Sequence, residues 1–262
     1  MNIAVFDSGL GGLTVVQALQ KVLKGANLYY LADTKNAPYG EKTPKQILEY
    51  SLKITEYFLS TYKIEVLILA CNTATSFAIE TLRKIYPKLI IMGTEPALKP
   101  ALRQSKTGKI GVLATPATLK GKKYESLVQT LSQNISVTFF PQACHGLVQE
   151  IEKGHIYSEN TKNMLEKWLL PMQKNHVDTI VLGCTHYPLI EHIIMNIMGK
   201  DIFIIDSSDA IAKHLMHILE TKKSHKNEGK LRIYIERTGK MNTRLLKRIL
   251  GDDIDMQGII IL

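Results

Sequence analysis

Residues 66 to 75 read V-L-I-L-A-C-N-T-A-T, and residues 179 to 188 read T-I-V-L-G-C-T-H-Y-P. In the first stretch Val66, Leu67, Ile68 and Leu69 leave no polar face for water, the pattern of a strand covered on both sides in a parallel sheet. Cys71 falls where that strand stops, and ligands of open α/β sheets bind outside the carboxyl ends of strands. The second stretch repeats the order of strand, small residue, cysteine and threonine, which makes Cys184 the partner of Cys71.

Toward the N-terminus, Ile3 to Phe6 forms a short buried strand that runs into Asp7-Ser8-Gly9-Leu10-Gly11-Gly12 and a helical pattern from Leu13 to Lys24. The glycine spacing does not match the dinucleotide fingerprint. The turn still offers backbone N–H groups that can hold a carboxylate, with Asp7 and Ser8 at the strand end. Equally, one of these two residues could simply cap the helix. A second strand, Asn27 to Leu31, leads to Asp33 and the loop Ala37-Pro38-Tyr39-Gly40. Thr43 and Gln46 make a capping box with Pro44 in the first turn, and Leu48, Leu52, Thr55 and Leu59 mark the buried helix face. Beyond Cys71, Thr75 to Tyr86 reads as helix and Lys88 to Met92 as strand, before Gly93-Thr94-Glu95-Pro96 breaks the pattern at a domain crossing.

A second series begins at the strand Lys109 to Leu113, followed by Ala114-Thr115-Pro116-Ala117-Thr118 and a helix through Leu131. A strand at Ser136 to Phe140, helices at Leu147 to Lys153 and Ser158 to Lys174, and the Cys184 strand come next. Asp201 to Asp206 reads as strand, Ser208 to Thr221 as helix, Ser224 to Lys230 as a polar loop, and Leu231 to Ile235 as strand. Ile3 and Ile110 are 107 positions apart and Cys71 and Cys184 are 113 apart, so two halves of one α/β grammar lie nearly in register. The expected organisation is a first α/β domain of residues 1–93 plus 208–262 and a second of residues 94–207 inserted in it.

The 262 residues are enough to bury roughly three-quarters of the unfolded surface. With 45% hydrophobic and 22% charged residues the composition is that of a soluble globular protein. The longest apolar runs, Ile202 to Ile205 and Ile259 to Leu262, are too short to span a bilayer, and Met1-Asn2-Ile3 enters a strand at once without a leader pattern, so the chain reads as cytoplasmic. A net charge of +9 raises the question of nucleic acid, but the lysines are spread along the chain. Even the Lys222, Lys223 and Lys226 cluster has no aromatic reader beside it, so a solvated basic surface is expected. Three cysteines, Cys71, Cys144 and Cys184, with no CxxC pair, fit neither a disulfide framework nor a zinc ribbon.

A lone buried cysteine is usually a small hydrophobe, yet two at matching strand ends invite a chemical reading. A helix is expected after each, and its N-terminal amides would favour the thiolate and pull the thiol below its usual value. A metal site would need ligands beyond Cys184 and His186 that only Cys144 or scattered histidines could supply. A cysteine hydrolase would use Cys184 with its neighbouring histidine as nucleophile and base, and would leave the other cysteine idle. Two acid/base groups on opposite sides of one small substrate would use both.

D-S-G-L-G-G at 7 to 12, A-P-Y-G at 37 to 40, A-C-N-T-A at 70 to 74, G-T-E-P-A at 93 to 97 and G-C-T-H-Y-P at 183 to 188 resemble, in order, the glutamate racemases of the cofactor-independent aspartate/glutamate racemase superfamily. A-T-P-A-T at 114 to 118 and I-D-S-S-D-A-I-A at 205 to 212 are also similar to family patterns, so the resemblance covers nearly the whole chain. It implies two similar three-layer α/β domains with mostly parallel sheets, related by pseudo-symmetry, with the active site in the cleft between them.

The implied reaction interconverts L- and D-glutamate without cofactor or metal, to supply D-glutamate for peptidoglycan. One thiolate takes the α-proton while the opposite thiol returns one to the other face. By this resemblance Cys71 acts on D-glutamate and Cys184 on L-glutamate, Asp7 and His186 assist them, and Ser8, Pro38, Tyr39, Gly40, Asn72, Thr73, Thr115, Thr118 and Thr185 hold the substrate. A supporting glutamate of the family falls at Glu152 when counted from Ala143-Cys144, with Glu150 as the alternative after a local shift. Cys144 is then structural. Where the family has T-G-D near its C-terminus, this chain has Thr238-Gly239-Lys240, to which no role is assigned. A homodimer is the implied assembly, with no membrane or nucleic-acid partner.

Overall fold

The computed structural model of the chain describes residues 1–133, 136–222, 225–251 and 255–260, the last segment to 259 in its backbone only. Lys223 of the basic cluster, Ser224 of the polar loop and the last two residues of the terminal apolar run lie outside the described residues. The strands are β1 (Asn2–Asp7), β2 (Asn27–Ala32), β3 (Val66–Leu69), β4 (Ile90–Gly93), β5 (Lys109–Ala114), β6 (Thr138–Ala143), β7 (Thr179–Gly183), β8 (Phe203–Ile205), β9 (Arg232–Arg237) and β10 (Asp255–Ile259). The helices are α1 (Leu13–Val22), α2 (Pro44–Tyr62), α3 (Asn72–Ile85), α4 (Leu98–Gln104), α5 (Pro116–Leu119), α6 (Lys122–Ser132), α7 (Leu147–Lys153), α8 (Glu159–Lys174), α9 (Glu191–Met198), α10 (Ser208–Lys222) and α11 (Thr243–Leu250).

Among the described residues these strands make two sheets, ordered β10-β9-β2-β1-β3-β4 and β6-β5-β7-β8, with every pairing parallel. The run β2-β1-β3-β4 of the first sheet and the whole of the second sheet follow the same order, second, first, third, fourth strand of each series. This is the pseudo-symmetry of the α/β fold. Cys71 follows the third strand of one series and Cys184 the third strand of the other. After β8 the chain returns to the first sheet, where β9 pairs with β2.

Parallel strands covered by helices must be apolar on both faces, and β1 shows how. Ile3 and Val5 enter a cluster with Leu13, Val16 and Leu215 of α1 and α10, while Ala4 and Phe6 turn to Ile54, Phe58 and Leu82 of α2 and α3. The cluster on the α1 side is continuous with Leu113, Leu182 and Leu165 of the second series, so the halves share apolar packing. Ile110, Val112 and Val181 face Leu98, Ala101 and Tyr124 on the other side of the second sheet.

Several expectations shift. Helix α2 begins with the expected Thr43–Gln46 box, but its buried face is Ile47, Ser51, Ile54, Thr55 and Phe58, one position round from the leucine stripe. Ser51 and Thr55 can be buried because their hydroxyls donate to the carbonyls of Ile47 and Ser51 four residues back. Helix α3 starts at Asn72, directly after Cys71, rather than at Thr75. The expected helix to Leu131 is broken at Lys120 and Gly121 into α5 and α6. Strand β6 runs on to Ala143 through Pro141, tolerated because β6 is an edge strand. Strand β8 is shorter than the Asp201 to Asp206 run because its ladder with β7 spans only Phe203 to Ile205. Helices α4 and α11 and strand β10 were not expected.

Candidate active site

The inner strands of both sheets end in chemically active side chains. Asp7 closes β1, and Cys71 follows the adjacent β3, with Phe6 beside Leu69 in the register. Thr115 follows β5, and Cys184 follows the adjacent β7, with Ala114 beside Gly183. The two edges face one cavity. Ser8, Pro38, Tyr39, Gly40, Cys71, Asn72 and Thr73 line it from the first-sheet side, and Thr115, Cys184, Thr185 and His186 from the second. Val148 and Gly183, which sequence reading did not single out, complete the wall. Gly183 adjoins Cys184 in the sequence, whereas nothing local marks Val148. The free space is about 10 Å³, on the order of one water.

Cys71 caps α3, its sulfur accepting the Ala74 N–H at 3.4 Å with Ser8 Oγ 3.9 Å away. The expected lowering of its pKa does not occur in this state: burial, then the neighbouring Asp7 carboxylate, push the thiol up to about 12, against the Ala74 amide. Asp7 is itself fully buried, with one oxygen accepting from Gly9 N–H at 2.9 Å and the other from Thr185 Oγ1 at 3.0 Å. Burial raises its pKa, opposed by the charge of His186 and these hydrogen bonds.

The Cys184 side is built differently. No α-helix starts at this cysteine; a 3-10 turn over Tyr187–Ile190 precedes α9, because Pro188 and the tight Tyr187 N–H to Cys184 carbonyl bond close the chain early. The charge partner is a side chain instead. His186 Nδ1 lies 3.8 Å from Cys184 Sγ, and His186 Nε2 lies 2.6 Å from Glu152 Oε1. The same Glu152 oxygen accepts the Leu10 N–H at 2.6 Å. Gly11 N–H points at Nε2 from 3.2 Å, but the shorter contact to Glu152 identifies Nε2 as a proton-bearing atom. Burial works against the imidazolium, yet contact with Cys184 and Glu152 holds the His186 pKa well above its usual value. Burial likewise works against the Glu152 charge, and His186 and the Leu10 amide outweigh it to lower that pKa.

This close approach explains the glycine turn. A Cβ on Gly9 would stand 2.0 Å from Glu152 Oε1, and one on Gly11 would stand 2.4 Å from His186 Nδ1. Glu150, the alternative carboxylate, points elsewhere and pairs with Lys153 and His155. Thr118 does not line the cavity. It is fully buried and closes a ring of hydroxyls: Thr73 to Thr115 at 3.0 Å, Thr73 to Thr118 at 3.2 Å, and Thr115 to Thr118 at 2.9 Å. Asn72 Oδ1 is buried with no hydrogen-bond partner among the described residues. Cys144 is buried, and its sulfur donates to the Gln142 carbonyl at 3.5 Å. Among the described residues no three His, Cys, Asp or Glu side chains are grouped to hold a metal ion, and no helix is long and apolar enough to cross a membrane.

Two parallel sheets of like strand order thus each bring a strand-end thiol to one shared cavity. Residues 12–215 match the model of the Asp/Glu/Hydantoin racemase family, and the chain belongs to that family; it is an isomerase by class. Within the family, the chain is similar to the glutamate racemase of Sulfurovum sp. (strain NBC37-1), with 59% identity over 96% of this chain and 95% of the relative. A crystal structure of a glutamate racemase isoform from Bacillus anthracis superposes with a TM-score of 0.87 at 29% identity, covering 99% of this chain and 97% of that one. The Escherichia coli glutamate racemase, crystallised with L-glutamate and the activator UDP-MurNAc-ala, gives a TM-score of 0.84 at 25% identity, over 100% of this chain and 98% of that one.

Proposed function

We propose that the chain interconverts L- and D-glutamate by two-base proton transfer, and that Cys71 and Cys184 are the bases. The observation that carries this reading is the convergence of both thiols, from equivalent strand ends of two sheets, on one cavity. A hydrolytic cysteine would need one nucleophile and leave the second unexplained. In the D-to-L direction the Cys71 thiolate takes the α-proton, the C–H electron pair remains on the substrate as a carbanion, and the Cys184 thiol protonates the opposite face. The reverse direction exchanges the roles. Asp7 serves the Cys71 half. His186, kept charged by Glu152, supplies and recovers protons for Cys184.

Asn72 Oδ1 supports this reading as an unmatched acceptor for the ammonium, the hydroxyls of Ser8, Thr73 and Thr115 are donors for the two carboxylates, and Thr185, whose own hydroxyl donates to Asp7, lines the same wall. Tyr39 and Gly40, with Pro38, roof the substrate. The present cavity is too small for glutamate, so we take the halves, residues 1–93 with 208–262 and residues 94–207, as domains that part to admit it. No cofactor is assigned, and the proposed setting is a cytoplasmic homodimer that supplies D-glutamate for peptidoglycan.

The test is incubation of the reduced, folded protein with L-glutamate alone in deuterated buffer. The optical signal should decay to zero as product acquires α-deuterium. A stable signal overturns the reading.

A further inference from the structure

Asp33 and the Thr238-Gly239-Lys240 segment have no part in the chemistry described above, yet they meet directly beside the cavity. Asp33 is 1% exposed. Its Oδ1 accepts from Thr238 Oγ1 at 2.6 Å and Asn36 Nδ2 at 3.1 Å; its Oδ2 accepts from Tyr39 OH at 2.6 Å and the same Asn36 nitrogen at 3.0 Å. Thr238 also accepts the Lys35 N–H at 3.0 Å through its hydroxyl, and its own N–H donates to the Ala32 carbonyl at 3.0 Å. The Asp33 N–H in turn donates to the Asp7 carbonyl at 2.9 Å. Among the described residues no cation pairs with Asp33, so neutral donors alone satisfy the buried carboxylate.

The position of these bonds matters. Tyr39 is fully buried and stands in the cavity wall, and Gly40 presses against Thr115 of the other half so closely that a Cβ there would lie 2.8 Å from Thr115 Cβ. The roof loop is therefore a contact between halves, and its inner end hangs from Asp33. Thr238, one residue past the end of β9, ties the C-terminal part of the chain to the same carboxylate.

We infer that Asp33 is a positioning residue for the cavity roof and that Thr238 holds it, so the segment after β9 helps set substrate affinity. This rests on the proposed glutamate racemisation. Without the Thr238 hydroxyl the Lys35 N–H loses its acceptor and the Asp33 carboxylate loses a donor, so the Tyr39 hydroxyl and the Asn36 amide are held less firmly and the roof loses its single placement.

The test compares Thr238→Val, which keeps shape and removes the hydroxyl, with Thr238→Ser, which restores it, and with Asp33→Ala. In Thr238→Val, KM for both enantiomers should rise about tenfold, the loss of a hydrogen bond to a charged group, with kcat changed much less. Amide hydrogen exchange over residues 34–42 should quicken in the same variant. Thr238→Ser should restore both. Asp33→Ala should act in the same direction, and adding Thr238→Val to it should cost less than Thr238→Val costs alone, because only the Lys35 N–H contact of the hydroxyl is then left to lose. If Thr238→Val lowers the melting temperature but leaves KM and loop exchange at wild-type values, the role is structural only and the inference fails; should Asp33→Ala not fold, the Thr238 pair still decides. Failure of the wild-type protein to racemise glutamate would instead overturn the functional reading, with the loop exchange still reporting on Thr238.

Discussion

His186 Nε2 and Glu152 Oε1, 34 residues apart in the chain, lie 2.6 Å apart behind Cys184 and on top of the glycine turn that follows β1. This ion pair is the point where a side chain of α7, the strand end of the second sheet and a turn of the first sheet meet. Its charge state bears on the reaction.

Glu152→Gln removes the carboxylate that supports the imidazolium, so the His186 pKa should fall and the alkaline limb of kcat/KM should move to lower pH. The raised His186 value contributes stability fully below its unfolded pKa near 6.5 and loses it as pH rises through the folded value. The lowered Glu152 value contributes above 4.5 and loses it as pH falls through the folded value. The melting deficit of Glu152→Gln should therefore be largest between these limits. Glu150→Gln should leave the pH profile where it is, as steady-state kinetics across pH will show.

Cys71→Ser and Cys184→Ser should each lower kcat/KM by about 10² to 10⁴, the range of positioned acid/base groups. The loss must be equal for L- and D-glutamate. Enantiomers have the same free energy in water, so a variant cannot slow one direction of kcat/KM alone. Progress curves from both enantiomers check this, and a single serine variant with wild-type rates would exclude the two-base scheme.

Asp7→Asn should separate activity from stability. A carboxyl whose folded pKa is raised costs stability once pH exceeds its unfolded value of 3.8, so the buried Asp7 charge is unfavourable at neutral pH. Thermal melting at pH 7 should show the variant no less stable than wild type, with racemisation reduced by at least about 10².

Thr118→Val leaves the Thr73–Thr115 bond of 3.0 Å and removes the third corner of the ring. Two buried hydrogen bonds are lost, each worth about 1 kcal/mol. At this chain length the pair amounts to a fall of roughly 4–8 °C in melting temperature, which differential scanning calorimetry resolves. KM should rise several-fold, because Thr73 and Thr115 lose the partner that orients them.

Sequence by itself determined the two parallel α/β series, because V-L-I-L and T-I-V-L have no face for water, and it determined which residues end those strands. Periodicity was less secure where polar groups bond within their own helix, as Ser51 does, and where Pro141 lies in an edge strand. The resemblance pointed to residues but not to their partners. Asp33 reads locally as a loop aspartate, and only the pairing of β9 with β2 brings Thr238 to it across 205 positions. Likewise, Glu150 and Glu152 sit on one short helix and differ in sequence by almost nothing. The packing of α7 against the glycine turn turns Glu152 toward His186 and leaves Glu150 to Lys153 and His155. Tertiary structure also decided the electrostatics of Cys71. A helix start promises a lowered thiol, but burial beside Asp7 is the stronger effect, and burial is a property of the assembled fold.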